Sequence, residues 1–178
     1  MIILISDDSK INYSDMIRKA LTDSNEEIVV FNAESFNIEP CRACSSCSGK
    51  TYGHCILEDD LTEILSEVIR SEKIILVSPI VYGGVSFHIK KIMDRLASIG
   101  DPRYYINNGE MVKKMRIPDF EYYMVGIKEN LTEEEKSAFI QLHSENIKIM
   151  SVKGKVFTVD NIIDKKTTDR IVKEICYV

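Results

Sequence analysis

The chain has 178 residues, 44% hydrophobic and 29% charged, with a net charge of −5. These proportions suit one globular domain over residues 1–178, not a disordered or collagen-like chain. An acidic balance without a dense Lys/Arg cluster excludes the phosphate-neutralising surface of a nucleic-acid binder. No apolar run approaches the ~20 residues that span a bilayer, and Asp7 and Asp8 follow the opening apolar stretch at once, so neither a membrane span nor a cleaved leader is expected. The expected location is the cytoplasm. There five cysteines are reduced thiols, and close spacing points to metal binding or redox chemistry ahead of disulfides.

Strand-length apolar runs alternate with stretches of helical period, the pattern of an α/β fold with a parallel sheet covered on both faces. Residues 1–6 read as a buried strand, 13–22 as a helix with Met16, Ile17, Ala20 and Leu21 on one face, and 27–32 as a second strand. From about 33 to 60 no period is sustained, and this insertion holds four of the five cysteines, which suggests a functional loop. Order returns at Leu61, where Asp60 and Glu63 suit a capping box and Leu61, Ile64, Leu65, Val68 and Ile69 form an apolar stripe.

Residues 73–78 are a third strand and 79–84 a turn. A helix over about 85–98 follows, with Val85, Ile89, Ile92, Met93 and Leu96 inward, ended by Gly100. Residues 101–119 read as irregular and 120–127 as a fourth strand. Thr132 and Glu135 mark a helix that carries Ala138, Phe139, Leu142 and Ile147 to the core, before a short strand at 155–159 and a last helix ending near Ile175. No internal repeat or linker interrupts this order.

Cys41-Arg-Ala-Cys44-Ser-Ser-Cys47 sets three thiols at two-residue gaps, and Cys55 lies beyond a Gly-containing stretch. Such gaps let side chains converge on one centre, and three close cysteines with one distal are more typical of a [4Fe–4S] cluster than of zinc, for which separated pairs are usual. Zinc, or a reduced loop with one redox-active pair such as Cys41 and Cys44, remain the other readings. Gly49 and Gly53 favour a chain wrapped closely around something. His54 reads as a loop residue and Cys176 as a small buried one.

In open α/β sheets ligands sit beyond the carboxyl ends of the strands, and the turn at 79–84 is such a place. Pro79 stiffens it, Gly83 and Gly84 admit a planar ligand, and Tyr82 offers an aromatic surface. The plainer reading is a connecting turn with a core tyrosine.

The segments Cys41-Arg-Ala-Cys44, Cys55-Ile-Leu-Glu-Asp-Asp-Leu61, Ser78-Pro-Ile-Val-Tyr82-Gly-Gly-Val-Ser86 and Lys90-Lys-Ile-Met-Asp94-Arg95 resemble the NAD(P)H-dependent FMN reductases of the flavodoxin-like fold, specifically their iron–sulfur flavoprotein branch. The resemblance implies a doubly wound five-stranded parallel sheet, order 2-1-3-4-5, with FMN at its carboxyl edge. Ser78, Pro79, Ile80, Val81, Tyr82 and Gly83 would line the flavin ring, and Ser6, Lys10, Asn12 and Ser14 the phosphate loop. Cys41, Cys44, Cys47 and Cys55 would hold the [4Fe–4S] cluster.

Electrons would pass from NAD(P)H or another reduced donor, through FMN and the cluster, to a small-molecule or protein acceptor. The resemblance further implies a homodimer or homotetramer. The chain departs from its relatives in the phosphate loop, where Asp7 and Asp8 oppose a dianion, and after the fourth strand, where Val125-Gly126-Ile127-Lys128-Glu129-Asn130 stands in place of a Gly-rich loop.

Lys90 and Asp94 suit a surface pair. His88 and His143 have no evident partner, and the motifs of hydrolases are absent. Two alternatives remain open: a cluster-free NAD(P)H-dependent FMN or quinone reductase, and a non-enzymatic metal-binding or interaction module on a flavodoxin scaffold.

Overall fold

The computed structural model describes residues 1–8, 12–159 and 164–177. Along them run β1 (Ile2–Ser6), α1 (Tyr13–Asp23), β2 (Ile28–Asn32), α2 (Leu61–Arg70), β3 (Lys73–Pro79), α3 (Phe87–Arg95), β4 (Tyr105–Asn107), β5 (Glu110–Val112), β6 (Glu121–Ile127), α4 (Glu133–Met150), β7 (Val156–Val159) and α5 (Lys165–Cys176). Every residue of β1 is buried, as expected of a strand flanked by others and covered on both faces. It lies between β2 and β3, β6 pairs with β3 and β7 with β6, all parallel.

The sheet order is β2-β1-β3-β6-β7. The expected numbering 2-1-3-4-5 is corrected by an antiparallel hairpin, β4 with β5, in a stretch expected to be irregular. Asn108 and Gly109, with φ of 49° and 82°, make its two-residue turn, and Asn-Gly is a strong sequence signal for that geometry.

Side chains alternate across the sheet with period two. Ile3, Ile5, Ile74, Leu76, Tyr122 and Met124 face a core shared with Leu61, Ile64, Ile89, Ile92 and Phe139 of α2, α3 and α4. Ile2, Leu4, Ile75, Val77, Tyr123 and Val125 face Ile17, Leu21, Ile171 and Ile175 of α1 and α5. Burying each such side chain contributes about 1.5–3 kcal/mol.

Thr132 and Glu135 form the expected capping box of α4, the Thr132 hydroxyl accepting from the Glu135 N–H at 3.3 Å. Three local expectations change. Asp60 makes no side-chain cap of α2; Asp59 accepts from the Leu61 N–H at 3.1 Å instead. Ile69 and Ala138 are exposed, the stripes of their helices being narrower than the sequence pattern. The helix expected over 85–98 ends at Arg95 and continues as a 3-10 turn, Leu96–Ser98. Among the described residues no helix is long and apolar enough to cross a membrane.

Where α4 gives way to β7 the chain presses against β6. Lys153 O accepts from the Tyr122 N–H at 2.8 Å, and Gly154, at φ 152°, would set a Cβ 1.8 Å from Tyr122 O. At Gly109, with φ 82°, a Cβ would meet nothing within 4 Å. Gly154→Ala is therefore expected to lower stability by more than about 3 kcal/mol, against about 1 kcal/mol for Gly109→Ala, measured by urea denaturation.

Candidate functional site

The cysteine segment leaves the carboxyl end of β2 and returns at α2, and its two ends are fastened to each other. Asp60 accepts from the Asn37 N–H at 2.7 Å, and Asp59 from the Glu39 N–H at 2.9 Å. Arg95, the last residue of α3 and 2% exposed, completes the fastening. Its guanidinium donates to Glu39 O at 3.0 Å, to Leu57 O at 3.3 Å and to the Asp59 carboxylate. Burial opposes the charge on Arg95, but Asp59 and Cys55 outweigh it and hold its pKa above the ordinary value.

Between these fastenings Cys41, Cys44, Cys47 and Cys55 line one pocket of about 40 Å³, with Leu57 and Arg95. The backbone is left-handed at Ala43, φ 49°, and Ser45, φ 57°, on either side of Cys44. Such residues store about 1–3 kcal/mol each. Changes of backbone hand of this kind gather N–H groups into concavities found at phosphate and iron–sulfur sites. The Ser46 hydroxyl, then its N–H, lower the Cys44 pKa and favour the thiolate that a metal takes.

Arg95 Nε is buried beside the pocket without a hydrogen-bond partner, a donor available to an anion. Four thiols, a left-handed backbone and an orphaned cationic donor fit a thiolate-held cluster. As the side chains stand, no three His, Cys, Asp or Glu among the described residues converge closely enough to share a single metal ion.

The turn after β3 is built by exchange of backbone hydrogen bonds between Val81 and Gly84, at 3.0 and 2.9 Å, around Tyr82 (φ 49°) and Gly83 (φ 76°). A Cβ on Gly83 would lie 2.7 Å from Ala138 Cβ, so glycine lets the turn close on α4. Ser78 anchors the turn from below: its hydroxyl donates to Pro79 O and accepts from the Ser86 N–H, both at 2.8 Å. Ile80 is buried and Pro79 half-buried.

Tyr82 is 95% exposed, which overturns the core-tyrosine reading, and it shares the surface with exposed Val81 and Phe87. Phe87 has no sequence signal beyond an apolar residue at the start of a helix.

At the start of α1 Ser6 is buried, and Asn12 is left-handed and makes no side-chain cap. Lys10 lies outside the described residues. Asp8 takes the donors expected for a phosphate, accepting from the Ser14 N–H at 2.6 Å and from its hydroxyl at 2.7 Å. A phosphate therefore does not fit here while Asp8 holds Ser14. Burial pushes the Asp7 carboxyl up, Ser86 and His88 pull it down, and the neighbouring Glu34 pushes it up further.

Lys90 and Asp94 form the expected exposed pair, and His143 Nε2 lies 3.0 Å from Tyr122 O. The nine residues of α3 hold the Tyr82 turn near one end and the cysteine pocket near the other, about 13 Å apart along its axis.

Asp59 is held below the usual carboxylate range: burial raises its pKa, but Arg95 and the N–H groups of Glu39 and Leu61 lower it further. Because the folded value is depressed, this stabilisation is present above the unfolded pKa of about 3.9 and is lost as pH falls through the folded value. Asp59→Asn is expected to lower stability at pH 7 by about 3–5 kcal/mol, leaving a buried unpaired guanidinium. It should also flatten the loss of stability below about pH 4, as read from denaturation midpoints across pH.

No family model matches the chain. An iron-sulfur flavoprotein of Methanocaldococcus jannaschii is 37% identical over 83 residues, 45% of this chain and 42% of that protein. An iron-sulfur flavoprotein of Archaeoglobus fulgidus is 33% identical over 86 residues, 48% of this chain and 38% of its own. The chain thus spans less than half the length of these curated relatives. The NAD(P)H:quinone oxidoreductase of Methanothermobacter marburgensis shares the fold with a TM-score of 0.66 at 12% identity, over 98% of both chains. The FMN-dependent NADH-azoreductase of Bacillus anthracis, solved with FMN, does so with a TM-score of 0.62 at 11% identity, over 96% of this chain and 93% of that one. The chain is thus similar in sequence to iron-sulfur flavoproteins and in fold to flavodoxin-like reductases.

Proposed function

We propose that the chain is an electron-transfer oxidoreductase of the iron–sulfur flavoprotein kind, working as one unit over residues 1–178 in the cytoplasm, as a homodimer or homotetramer. Cys41, Cys44, Cys47 and Cys55 hold a [4Fe–4S] cluster, and FMN lies at the carboxyl edge of the sheet against Ser78–Gly83. The observation that carries this reading is the single pocket lined by all four cysteines beside the unpartnered, buried Arg95 Nε. The printed names of the relatives and the fold of an FMN-bound neighbour support it.

When bound, a flavin and a cluster exchange electrons with a donor such as NAD(P)H and with a small-molecule or protein acceptor. The chain's own residues bind and orient. Arg95 and Asp59 keep the two ends of the cysteine segment together, so the thiols face one pocket. Ser78 fixes the turn that presents Val81 and Tyr82, and Tyr82 with Phe87 gives a flat ring an aromatic surface to stack on. No side chain is required as a nucleophile. A cluster-free FMN or quinone reductase is favoured by one observation, the lack of close convergence among the thiols.

Iron, acid-labile sulfide and FMN quantified on anaerobically purified protein test the choice. Matching iron and sulfide with one flavin per chain is expected, and Cys44→Ser should lose iron and keep flavin. Flavin without iron would instead leave the cluster-free reductase.

Asp8 competes with the flavin phosphate for Ser14. Asp8→Asn is expected to tighten FMN about tenfold, close to 1.4 kcal/mol, with riboflavin affinity unchanged, as read by quenching of flavin fluorescence. An equal effect on both flavins would remove the phosphate from this loop.

A further inference from the structure

Lys113 follows β5 and is only 7% exposed, although its ammonium is the kind of charge that proteins seldom bury without an anion. Its Nζ donates to Ser48 Oγ at 2.7 Å and lies 3.8 Å from Cys47 Sγ. The Tyr104 ring centroid is 5.7 Å away. Among the described residues no carboxylate forms an ion pair with it, whereas Arg95, the buried cation that lines the cysteine pocket, has Asp59. The backbone of Lys113 is itself held, donating to Ile149 O at 2.9 Å, so the ammonium is aimed from a fixed point.

A buried ammonium with a hydroxyl, a sulfur and an aromatic ring for company lacks the charge that would balance it. Asp94, which lines the same cavity as Lys113, is paired with Lys90, and the contact that the ammonium does make toward a metal-binding group is the one to the sulfur of Cys47. We propose that Lys113 is the electrostatic partner of the cysteine-held group, a positioning residue that raises its reduction potential. The inference rests on the reading that these cysteines hold an iron–sulfur cluster.

Reduction adds one electron, taken from an external reductant, to a group already carrying thiolate charge. A cation at hydrogen-bond distance in a low-dielectric setting stabilises the more negative, reduced form. Hydrogen bonds to the sulfurs and local charge are recognised determinants of cluster potential. Removal of the ammonium should therefore make the cluster harder to reduce while leaving its ligands in place.

The test is a mediated redox titration of anaerobically reconstituted protein, followed by the electron paramagnetic resonance signal of the reduced cluster, with iron content measured on each sample. Lys113→Met and Lys113→Gln are expected to retain iron and to shift the reduced-to-oxidised ratio at a fixed potential at least tenfold toward oxidised, which is 59 mV for one electron. Lys113→Arg, which keeps the charge, should stay close to wild type. Lys114→Met, which removes a neighbouring exposed cation that sits over Tyr105, should do the same.

Iron retained with an unshifted potential in both neutral variants would overturn the inference and leave the cluster reading standing. A wild type without iron would overturn both.

Discussion

The guanidinium of Arg95 is withdrawn from water, so its donors have to be met where it stands. It is met by the cysteine segment: by Glu39 O ahead of Cys41, by Leu57 O beyond Cys55, and by Asp59 at the entry to α2. One buried cation at the end of α3 thereby closes an irregular stretch that has no helix longer than a 3-10 turn to hold its shape. Its one nitrogen without any partner is Nε, and Arg95 lines the pocket that the thiols line. The same residue that secures the loop therefore offers a hydrogen bond to its contents.

The two halves of the site differ in how ready they are. The cysteine pocket has charge in advance, in Arg95 on its wall and in Lys113 against Cys47, and strained backbone at Ala43 and Ser45 of the sort that persists where the surroundings over-determine it. The flavin side is less prepared. Tyr82 and Phe87 stand open to solvent, and at the start of α1 Asp8 already holds the Ser14 N–H and hydroxyl. An internal carboxylate at that position interacts favourably with the helix dipole without a ligand, so a flavin phosphate bound there, as proposed, would have to displace it.

The sheet was legible because its alternation is strict: Ile3 and Ile5 go to one face, Ile2 and Leu4 to the other, and nothing polar interrupts them. The hairpin was not, because strands of three residues carry too little period to register, even though Asn108-Gly109 marks its turn. The cysteines announced themselves through spacing. Their partners could not, since Arg95 reaches Asp59 across 36 positions and Lys113 reaches Cys47 across 66, and contacts at such separation leave no local pattern. Asp7 and Asp8 were visible as an oddity in a phosphate loop, but only the fold separates them, sending one toward Ser86 and Glu34 and the other onto Ser14.

The central claim is that four thiolates beside Arg95 surround one cluster. An anomalous-difference map at the iron absorption edge, from crystals of the anaerobically reconstituted protein, addresses it most directly. The expected result is one compact peak bounded by Cys41, Cys44, Cys47 and Cys55, within hydrogen-bond reach of Arg95 through the sulfur it meets. Iron density elsewhere, or a map without an iron peak from protein that retains its flavin, would contradict it.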